Sequence, residues 1–256
     1  ESLVHTFYLW HCADITSRAA RVLGHHEDAV RYAQMAEQVR TAFDRVFFDE
    51  KAQSCGPNGD NIFALCMGLG AEHQPQLINT VRKEIAEGTK GHVNVGFIGA
   101  KYFFETLARH GMNDLAYEAM NKTDFPSYGH WIAQGATTTW EQWDGGNSRN
   151  HPMMGSGLTW FSRNLAGVQY DEHQPAYRHI IIRPQVPAQM ESVSYTKQTP
   201  YGKVASSLQR KDGITTVSVT VPVGSTATLV LPIGTKELQQ GTYTFKYSDE
   251  PLSDEL

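Results

Sequence analysis

A single carboxylate lies between two tryptophans in the segment from Gly135 to Gly146, which reads Gly-Ala-Thr-Thr-Thr-Trp-Glu-Gln-Trp-Asp-Gly-Gly. Aromatic faces pack on the C–H surfaces of sugars and exclude water. A carboxylate in such surroundings is partly desolvated and suits proton transfer, so Glu141 is the first candidate for a catalytic residue. The same segment is also compatible with two core tryptophans, Trp140 and Trp143, and a glutamate that makes only an ion pair.

Further groups suited to sugar binding flank this segment. Tyr-Gly-His-Trp precedes it at 128–131, and Ser-Arg-Asn-His follows it at 148–151. Most of the region has the composition of loops, which collect binding groups when a rigid scaffold holds them. We interpret Asp144 as the residue that closes a turn before the paired glycines. The other candidate contacts of a ligand are Tyr128, Trp131, Trp140, Trp143, Asn150 and His151, with His92 and Asn94 of the 91–99 segment as weaker candidates.

The order of these motifs resembles the C-terminal half of the catalytic domain of bacterial α-L-rhamnosidases, the inverting glycoside hydrolases of family 78. The resemblance runs from near residue 1 to about residue 232 and rests on many ordered matches. Besides the segments above, the matching stretches are 40–43, 91–99, 115–117, 123–128, 177–184, 199–202 and 227–232.

This resemblance implies a role for several site residues. It places Glu141, in the Thr-Thr-x-Trp-Glu motif, as the general base, and His151, in Ser-x-Asn-His, in the sugar site. His151 is then expected to donate to a sugar hydroxyl or to hold Glu141 in position. We expect Trp131, Trp143 and Tyr128 to form apolar walls against the rhamnose ring and its C6 methyl group.

Two departures from the family pattern affect the expected shape of the pocket more than its chemistry. Arg149 stands where a leucine is common, and Pro-Met-Met at 152–154 stands where an aromatic residue often follows the histidine.

The general acid of the family is a glutamate in an acidic, arginine-containing motif on the N-terminal half of the barrel, and no such segment occurs in these 256 residues. The chain begins at Glu1 within a predicted helix, without an initiator methionine or a signal peptide. We therefore expect the acid in an upstream part of the same polypeptide, and the 256 residues alone to be inactive. Two alternatives stay open: another (α/α)6-barrel carbohydrate-active enzyme, or an inactive carbohydrate-binding remnant.

Composition limits the class of partner. A net charge of -5 and a pI near 6.1 argue against nucleic acid and anionic membranes, and no apolar run is long enough to cross a bilayer. Three cysteines without Cys-x-x-Cys spacing, and no His-Glu-x-x-His, predict neither a disulfide framework nor a metal site, and we expect no cofactor. The expected ligand is a rhamnose-containing glycoside or oligosaccharide. The compartment stays open, with the bacterial periplasm or secretion favoured over the cytoplasm.

Apolar residues recur at threes and fours from the start of the chain to about residue 166, which is the helical period. Two stripes predict an antiparallel pair of helices joined at Gly24. Further helices are predicted at 61–69, 75–85, 100–108, 113–120 and 154–165, and about seven helices suit half of a barrel or slightly more. The first stripe consists of Val4, Phe7, Tyr8, Ile15, Ala19, Val22 and Leu23, and the second of Ala29, Tyr32, Ala33, Ala36, Val39, Phe43 and Val46.

From about residue 177 the period of the apolar residues changes to two. Strands are predicted at 178–183, 191–198, 203–210, 217–221, 226–231 and 243–247, with a hairpin turn at Lys211-Asp212-Gly213. The polar stretch 170–175 suggests a domain boundary. The combined prediction is part of an (α/α)6 catalytic barrel over residues 1–170 and an antiparallel β-sandwich over 171–256, where the closed barrel follows from the resemblance and the paired helices from the periodicity.

Overall fold

The computed structural model describes residues 2–57, 59–69, 72–93 and 95–249, so the predicted site residue Asn94 lies outside the described residues. The chain divides into two compact units, Glu1–Ser156 and Gly157–Leu256. Residues Phe161–Leu165, a turn of π-helix, pack on the first strand of the second unit. The predicted domain boundary at residue 170 stays a prediction.

The first unit is built from pairs of helices. Helices α1 and α2 pack along their length and are joined at Gly24, whose φ of 78° allows the chain to reverse. The helices of this unit are α1 (Ser2–Val22), α2 (His26–Phe47), α3 (Asp60–Met67), α4 (Gln74–Lys83), α5 (Gly96–Arg109), α6 (Asn113–Asn121) and α7 (Tyr128–Ala133), with a π turn at Glu84–Gly88 and a 3-10 turn at Pro152–Gly155. Helix α8 (Ser156–Trp160) and the π turn Phe161–Leu165 follow, and from Gly157 onward they belong to the second unit.

The buried face of α1 differs from the predicted stripe. Phe7 is buried as expected, but Ile15, Val22 and Leu23 are exposed. Small residues make the contact with α2 instead: Ser17 is buried and its hydroxyl donates to the carbonyl oxygen of Ala29 at 2.7 Å. The periodicity of large apolar side chains predicted the helix correctly. It predicted the wrong buried face, because the closely packed helices α1 and α2 meet through small side chains.

More than half of the residues of helix α5 are buried. Tyr102, Phe103, Phe104 and Leu107 are all buried, so apolar side chains surround much of its circumference. A helix of that kind belongs in the interior of a domain. It packs against α3, α6 and the 3-10 turn Pro152–Gly155 that follows the candidate site. Helix α5 therefore supports that turn.

Helix α7 was not predicted, although it carries two of the candidate site residues. It has six residues, of which Trp131 is the buried one, so no helical period can be recognised in it. Its first turn is capped by Ser127, whose hydroxyl oxygen accepts the backbone N–H of His130 at 2.9 Å.

The second unit contains two four-stranded sheets, in the orders β1-β2-β6-β7 and β3-β4-β5-β8. Neighbouring strands are antiparallel except for β2 and β6, which are parallel. Buried side chains from both sheets, among them Ile180, Val204, Val217 and Leu229, form one core. The strands are β1 (Val168–Tyr170), β2 (His179–Ile182), β3 (Ser192–Thr199), β4 (Gly202–Lys211), β5 (Ile214–Val221), β6 (Thr226–Leu231), β7 (Gly234–Leu238) and β8 (Gly241–Ser248).

The predicted fold class is confirmed: paired helices are followed by a β-sandwich. None of the described helices has both the length and the apolarity that crossing a bilayer requires.

Candidate active site

Four aromatic side chains that the sequence singled out, two from α7 and two from the loop 134–151, pack in one cluster. Trp131 and Trp140 are buried, at 2% and 6% exposure, whereas Tyr128 and Trp143 are half-buried. The rings of Trp131 and Trp143 stack with centroids 4.4 Å apart, and Trp131 Nε1–H donates to the backbone oxygen of Trp143 at 2.9 Å. Trp143 is therefore the tryptophan of the cluster with ring surface available to a ligand, and the other two support it.

Tyr128 joins this cluster to the chain that follows the loop. Its ring stands edge-on to Trp131 and Trp143, with centroids 5.5 and 5.3 Å away. Its hydroxyl donates to the carbonyl oxygen of Met154 at 2.6 Å. Burial raises the pKa of Tyr128, so its hydroxyl stays a neutral donor across the physiological range.

The turn after Trp143 is shaped by glycine. Gly145 has a φ of 80°, and a Cβ at this position would lie 2.7 Å from a ring carbon of Trp140. The interpretation of Asp144 as a turn residue is confirmed, because its Oδ1 accepts the backbone N–H of Gly146 at 3.0 Å. Arg149, a departure from the family pattern, covers this turn: its guanidinium lies 4.5 Å from the centre of the Trp140 ring, and its Nε–H donates to the oxygen of Gly145 at 3.1 Å.

Glu141 is anchored at both its backbone and its carboxylate. Its backbone N–H donates to the oxygen of Ser148 at 2.8 Å, which closes the loop. In return, the backbone N–H of Ser148 donates to Oε2 at 3.2 Å, and Nδ2 of Asn147 donates to Oε1 at 3.4 Å. About a quarter of the side chain is exposed, at 25%. The carboxylate is thus oriented by donors and open to a small molecule.

His151 lies beside this carboxylate, with Nδ1 3.8 Å from Oε2 of Glu141. Two hydrogen bonds to Thr139 hold the His151 backbone in place. The backbone N–H of His151 donates to the backbone oxygen of Thr139, and the Thr139 hydroxyl donates to the backbone oxygen of His151, each at 2.8 Å. The ring of Phe97 stands edge-on to the imidazole, 5.3 Å away. Nε2 is buried and has no hydrogen-bond partner among the described residues.

The remaining candidates do not hydrogen-bond to Glu141 within the described part of the chain. Buried His92 has Nδ1 2.8 Å from the oxygen of Pro126 and Nε2 3.2 Å from Oδ2 of Asp124, so it ties the 91–99 segment to the segment before α7. Asn150 is exposed, and its backbone N–H donates to the hydroxyl of Ser148 at 3.2 Å. Their roles in sugar binding stay predictions.

Sequence reasoning missed Asn147 and Phe97, which touch the two principal candidates. Asn147 adopts a φ of 55°, and asparagine is among the few residues with a side chain that enter the left-handed region readily. An asparagine directly after two glycines was the available signal. No sequence pattern marks Phe97, because its exposed position beside His151 is visible only in the structure.

One cluster away from this loop has donor types that suit a metal ion: within the described ranges, one oxygen or nitrogen each of Asp44, Glu72 and His73 lie within 4.8 Å of one another. A hydrogen bond to Glu37, with smaller contributions from Asp44 and Glu72, raises the pKa of Arg40. The cluster therefore already has a guanidinium beside it. A cavity of about 800 Å³ also lies apart from the candidate site, between the segment 52–61 and the helix end at 80–88.

Two family models match successive parts of the chain. The model of the bacterial α-L-rhamnosidase six-hairpin glycosidase domain matches residues 1–165, and that of the bacterial α-L-rhamnosidase C-terminal domain matches residues 167–246.

Curated relatives bear the name α-L-rhamnosidase. One from Formosa agariphila is 30% identical over 249 residues, covering 92% of this chain and 27% of the relative, and one from Streptomyces avermitilis is 28% identical over 258 residues, covering 95% and 24%. The chain therefore spans about a quarter of the length of the curated relatives that it matches.

Solved structures agree with this similarity. An α-L-rhamnosidase from Dictyoglumus thermophilum superposes with a TM-score of 0.88 at 26% identity, covering 94% of this chain and 31% of its own. The Streptomyces avermitilis α-L-rhamnosidase complexed with L-rhamnose gives a TM-score of 0.87 at 25% identity, covering 96% and 27%.

Proposed function

The chain belongs to the bacterial α-L-rhamnosidase family, and on that basis we propose that it forms part of a glycoside hydrolase that removes terminal α-L-rhamnosyl residues with inversion of configuration. The names of the relatives support the rhamnosyl substrate, as does the L-rhamnose in one similar structure. The low net charge suits a neutral sugar ligand.

Glu141 is the proposed general base. In an inverting glycosidase, a carboxylate takes a proton from the water that attacks the anomeric carbon. The donors from Asn147 and Ser148 orient the two carboxylate oxygens, one of which has to point at that water. Proton transfer of this kind contributes about 10²–10⁴-fold in rate, which corresponds to about 3–5 kcal/mol of barrier.

The general acid is proposed to come from another part of the same polypeptide. Inversion requires an acid on the opposite face of the sugar, about 6.5–9.5 Å from the base, so that a water molecule fits between base and sugar. The family's acid motif does not occur in these 256 residues, and the chain spans about a quarter of its curated relatives.

Sugar binding is assigned to the side chains that face the Glu141 carboxylate or lie exposed beside it. Trp143 offers an apolar ring face to the sugar, held in place by its stack on Trp131. His151, with Nδ1 3.8 Å from Oε2 of Glu141, is proposed to donate to a sugar hydroxyl or to hold that carboxylate in position. Trp140 and Tyr128 pack in the same aromatic cluster and hold the loop in place.

The observation that carries this proposal is the Glu141 carboxylate, oriented by two donors, with an imidazole 3.8 Å away, on a loop whose tryptophans pack in an aromatic cluster. The test is an assay of the complete polypeptide that carries this chain on aryl α-L-rhamnoside and on aryl α-glucoside. We expect turnover of the first alone, and proton NMR is expected to detect the β-anomer of rhamnose before mutarotation. Release of the α-anomer would exclude inversion. Preference for the glucoside would favour another barrel enzyme, and rhamnose binding without turnover would favour a binding remnant.

A further inference from the structure

Both oxygens of the Glu141 carboxylate receive a hydrogen bond from the tip of its own loop. Asn147 Nδ2 donates to Oε1 at 3.4 Å, and the backbone N–H of Ser148 donates to Oε2 at 3.2 Å. Rotation of the carboxylate about its last C–C bond would lengthen both contacts at once. The pair of donors therefore fixes the plane of the carboxylate, which the imidazole of His151, at 3.8 Å, is too distant to do by a hydrogen bond.

The turn delivers the Asn147 amide to this place. Asn147 has a φ of 55°, and Gly145 two residues earlier has a φ of 80°. The bond from Gly146 N–H to Asp144 and the bond from Glu141 N–H to the Ser148 oxygen close the loop on either side. Local backbone geometry thus directs the amide toward the carboxylate, without packing of the asparagine side chain against the core.

The Asn147 side chain is exposed, and within the described residues its one side-chain hydrogen bond is the one to Glu141. Substitution of an exposed loop side chain usually changes stability little. The left-handed backbone favours an asparagine at this position, and the described partner of its exposed amide is the Glu141 carboxylate.

We propose that Asn147 is a positioning residue for Glu141, an inference that rests on the proposed function of Glu141 as the general base. The amide holds the carboxylate plane in the direction of the attacking water. A carboxylate offers about four lone-pair sites, so two donors leave room for the water. The group that matters is the N–H donor, not the volume of the side chain.

Two substitutions in the complete polypeptide separate these properties. Asn147→Gly keeps the left-handed backbone without strain and removes the donor. Asn147→Asp keeps the shape but replaces the donor with a negative charge about 3.4 Å from Oε1. The readouts are kcat, KM and their pH profiles on aryl α-L-rhamnoside, together with the melting temperature.

We expect kcat to fall about 10- to 150-fold in Asn147→Gly, the range that a hydrogen bond to an ionised group corresponds to, with KM changed less than about twofold. The acidic limb of the kcat profile should move to higher pH, because the carboxylate then takes up a proton more readily. In Asn147→Asp the limb should move further, and kcat at high pH should recover only to the level of Asn147→Gly, because both variants lack the donor. The melting temperature should stay near that of the parent in Asn147→Gly, which decides the matter if Asn147→Asp folds poorly.

Gln142→Glu is the matched control. Gln142 is exposed on the same loop and makes no described hydrogen bond to Glu141, so this variant adds the same charge without removing the donor. The other charged or titratable side chains near the carboxylate are His151, Asp144 and Arg149, and all three stay unchanged. A limb shift in Gln142→Glu equal to that in Asn147→Asp would overturn the inference, because charge on the loop would then suffice.

Glu141→Gln, measured beside these variants, separates the inference from the function on which it rests. If Glu141→Gln is inactive while both Asn147 variants keep the parent kcat and pH profile, the role of Asn147 is overturned and the general base stands. If Glu141→Gln keeps high turnover, the general base itself is overturned, and the inference with it. A loss of kcat that follows only a loss of melting temperature, with no limb shift, would also overturn the positioning role.

Discussion

The indole Nε1–H of Trp131 donates to the backbone oxygen of Trp143 at 2.9 Å, and the two rings stack with centroids 4.4 Å apart. One tryptophan is buried and the other is half-buried, so the pair links the core of the helical unit to the surface of the loop that carries Glu141. We therefore expect Trp131 to contribute mainly to the stability of the fold and Trp143 mainly to sugar binding.

Replacement of each tryptophan by alanine should separate these contributions. Trp131→Ala removes a buried ring and leaves the Trp143 oxygen without its donor, so it should lower the free energy of unfolding by about 3–5 kcal/mol. Trp143→Ala should instead weaken rhamnose binding by about 1–3 kcal/mol through lost apolar contact. Urea unfolding and inhibition by rhamnose measure the two effects. A large loss of stability with unchanged kinetics in Trp143→Ala would show that Trp143 is structural only.

Glu141→Gln should reduce kcat on aryl α-L-rhamnoside by about 10²–10⁴-fold, because the amide keeps the shape of the side chain but cannot take a proton from water. Binding of rhamnose and the melting temperature should change little. Steady-state kinetics on the complete polypeptide, with Gln142→Glu as a neighbouring control, provide the measurement. Retention of more than about a tenth of the parent kcat would exclude Glu141 as the base.

Two glycines of this region have the same backbone angle but different surroundings. Gly135 and Gly145 both have a φ of 80°, yet a Cβ on Gly135 would meet nothing within 4 Å, whereas on Gly145 it would lie 2.7 Å from Trp140. Gly135→Ala should therefore cost about 1–2 kcal/mol from backbone strain alone. Gly145→Ala should cost more and should also lower kcat, since the displaced turn carries the donors of Glu141. Equal losses of stability and equal kinetics in both variants would contradict this account.

The long, regular elements of the fold were predictable from the sequence, whereas several of the short ones were not. Helices α1 and α2 and the strands β3 to β6 contain enough residues for a period to be recognised. Helix α7 has six residues and β1 has three, which is too few. The parallel pairing of β2 with β6 was also missed, because the alternation of side chains does not record the direction of a neighbouring strand.

Prediction of the site was similarly uneven. The motif order, through the family resemblance, pointed to Glu141 and His151, and the structure brings them to 3.8 Å. That proximity depends on the paired bonds between Thr139 and His151, which no local pattern announces. Asn147 depends on a left-handed turn, and its contact with Glu141 exists only once the loop has closed. The chemical roles of the site residues could therefore be predicted from their types and motifs, whereas the orientation of their side chains depends on the folded backbone of the loop.

Thiol reactivity should report the local environment of the cysteines. Burial, with a contribution from Asp44 and Asp60, raises the pKa of Cys55 to about 12, whereas Cys12 is exposed. A thiol with such a pKa is ionised in about one molecule in 10⁴ at pH 8, so Cys55 should react with Ellman's reagent far more slowly than Cys12. Cys12→Ala should remove the fast phase. Rapid labelling of Cys55 at pH 8 without unfolding would contradict the burial.

The same raised pKa predicts how stability depends on pH. The pKa of Cys55 in the folded chain lies above that of an unfolded cysteine, about 9, so its contribution to the free energy of unfolding is complete below about pH 9 and is lost as pH rises toward 12. Cys55→Ala should therefore show a shallower alkaline loss of stability than the parent. Urea unfolding between pH 7 and pH 11 tests this, and parallel curves for the two proteins would show that another group is responsible.

The 256 residues expressed alone should not hydrolyse aryl α-L-rhamnoside. Inversion needs an acid across the sugar from Glu141, and we assign that acid to another part of the polypeptide. Several large apolar side chains of α1 and the turn after it are exposed, with Leu9 at 47%, Val22 at 86% and Leu23 at 71%, so the isolated chain should also bind a hydrophobic dye or self-associate. Light scattering and dye fluorescence measure this behaviour, and addition of the separately expressed remainder of the polypeptide should reduce it. Robust turnover by the purified chain, lost in Glu141→Gln, would show that the acid lies among these residues, and Asp144 and Asp124 would be the first to replace. Turnover that survives Glu141→Gln would point to a contaminating host enzyme, which a mock purification from cells without the gene would reveal.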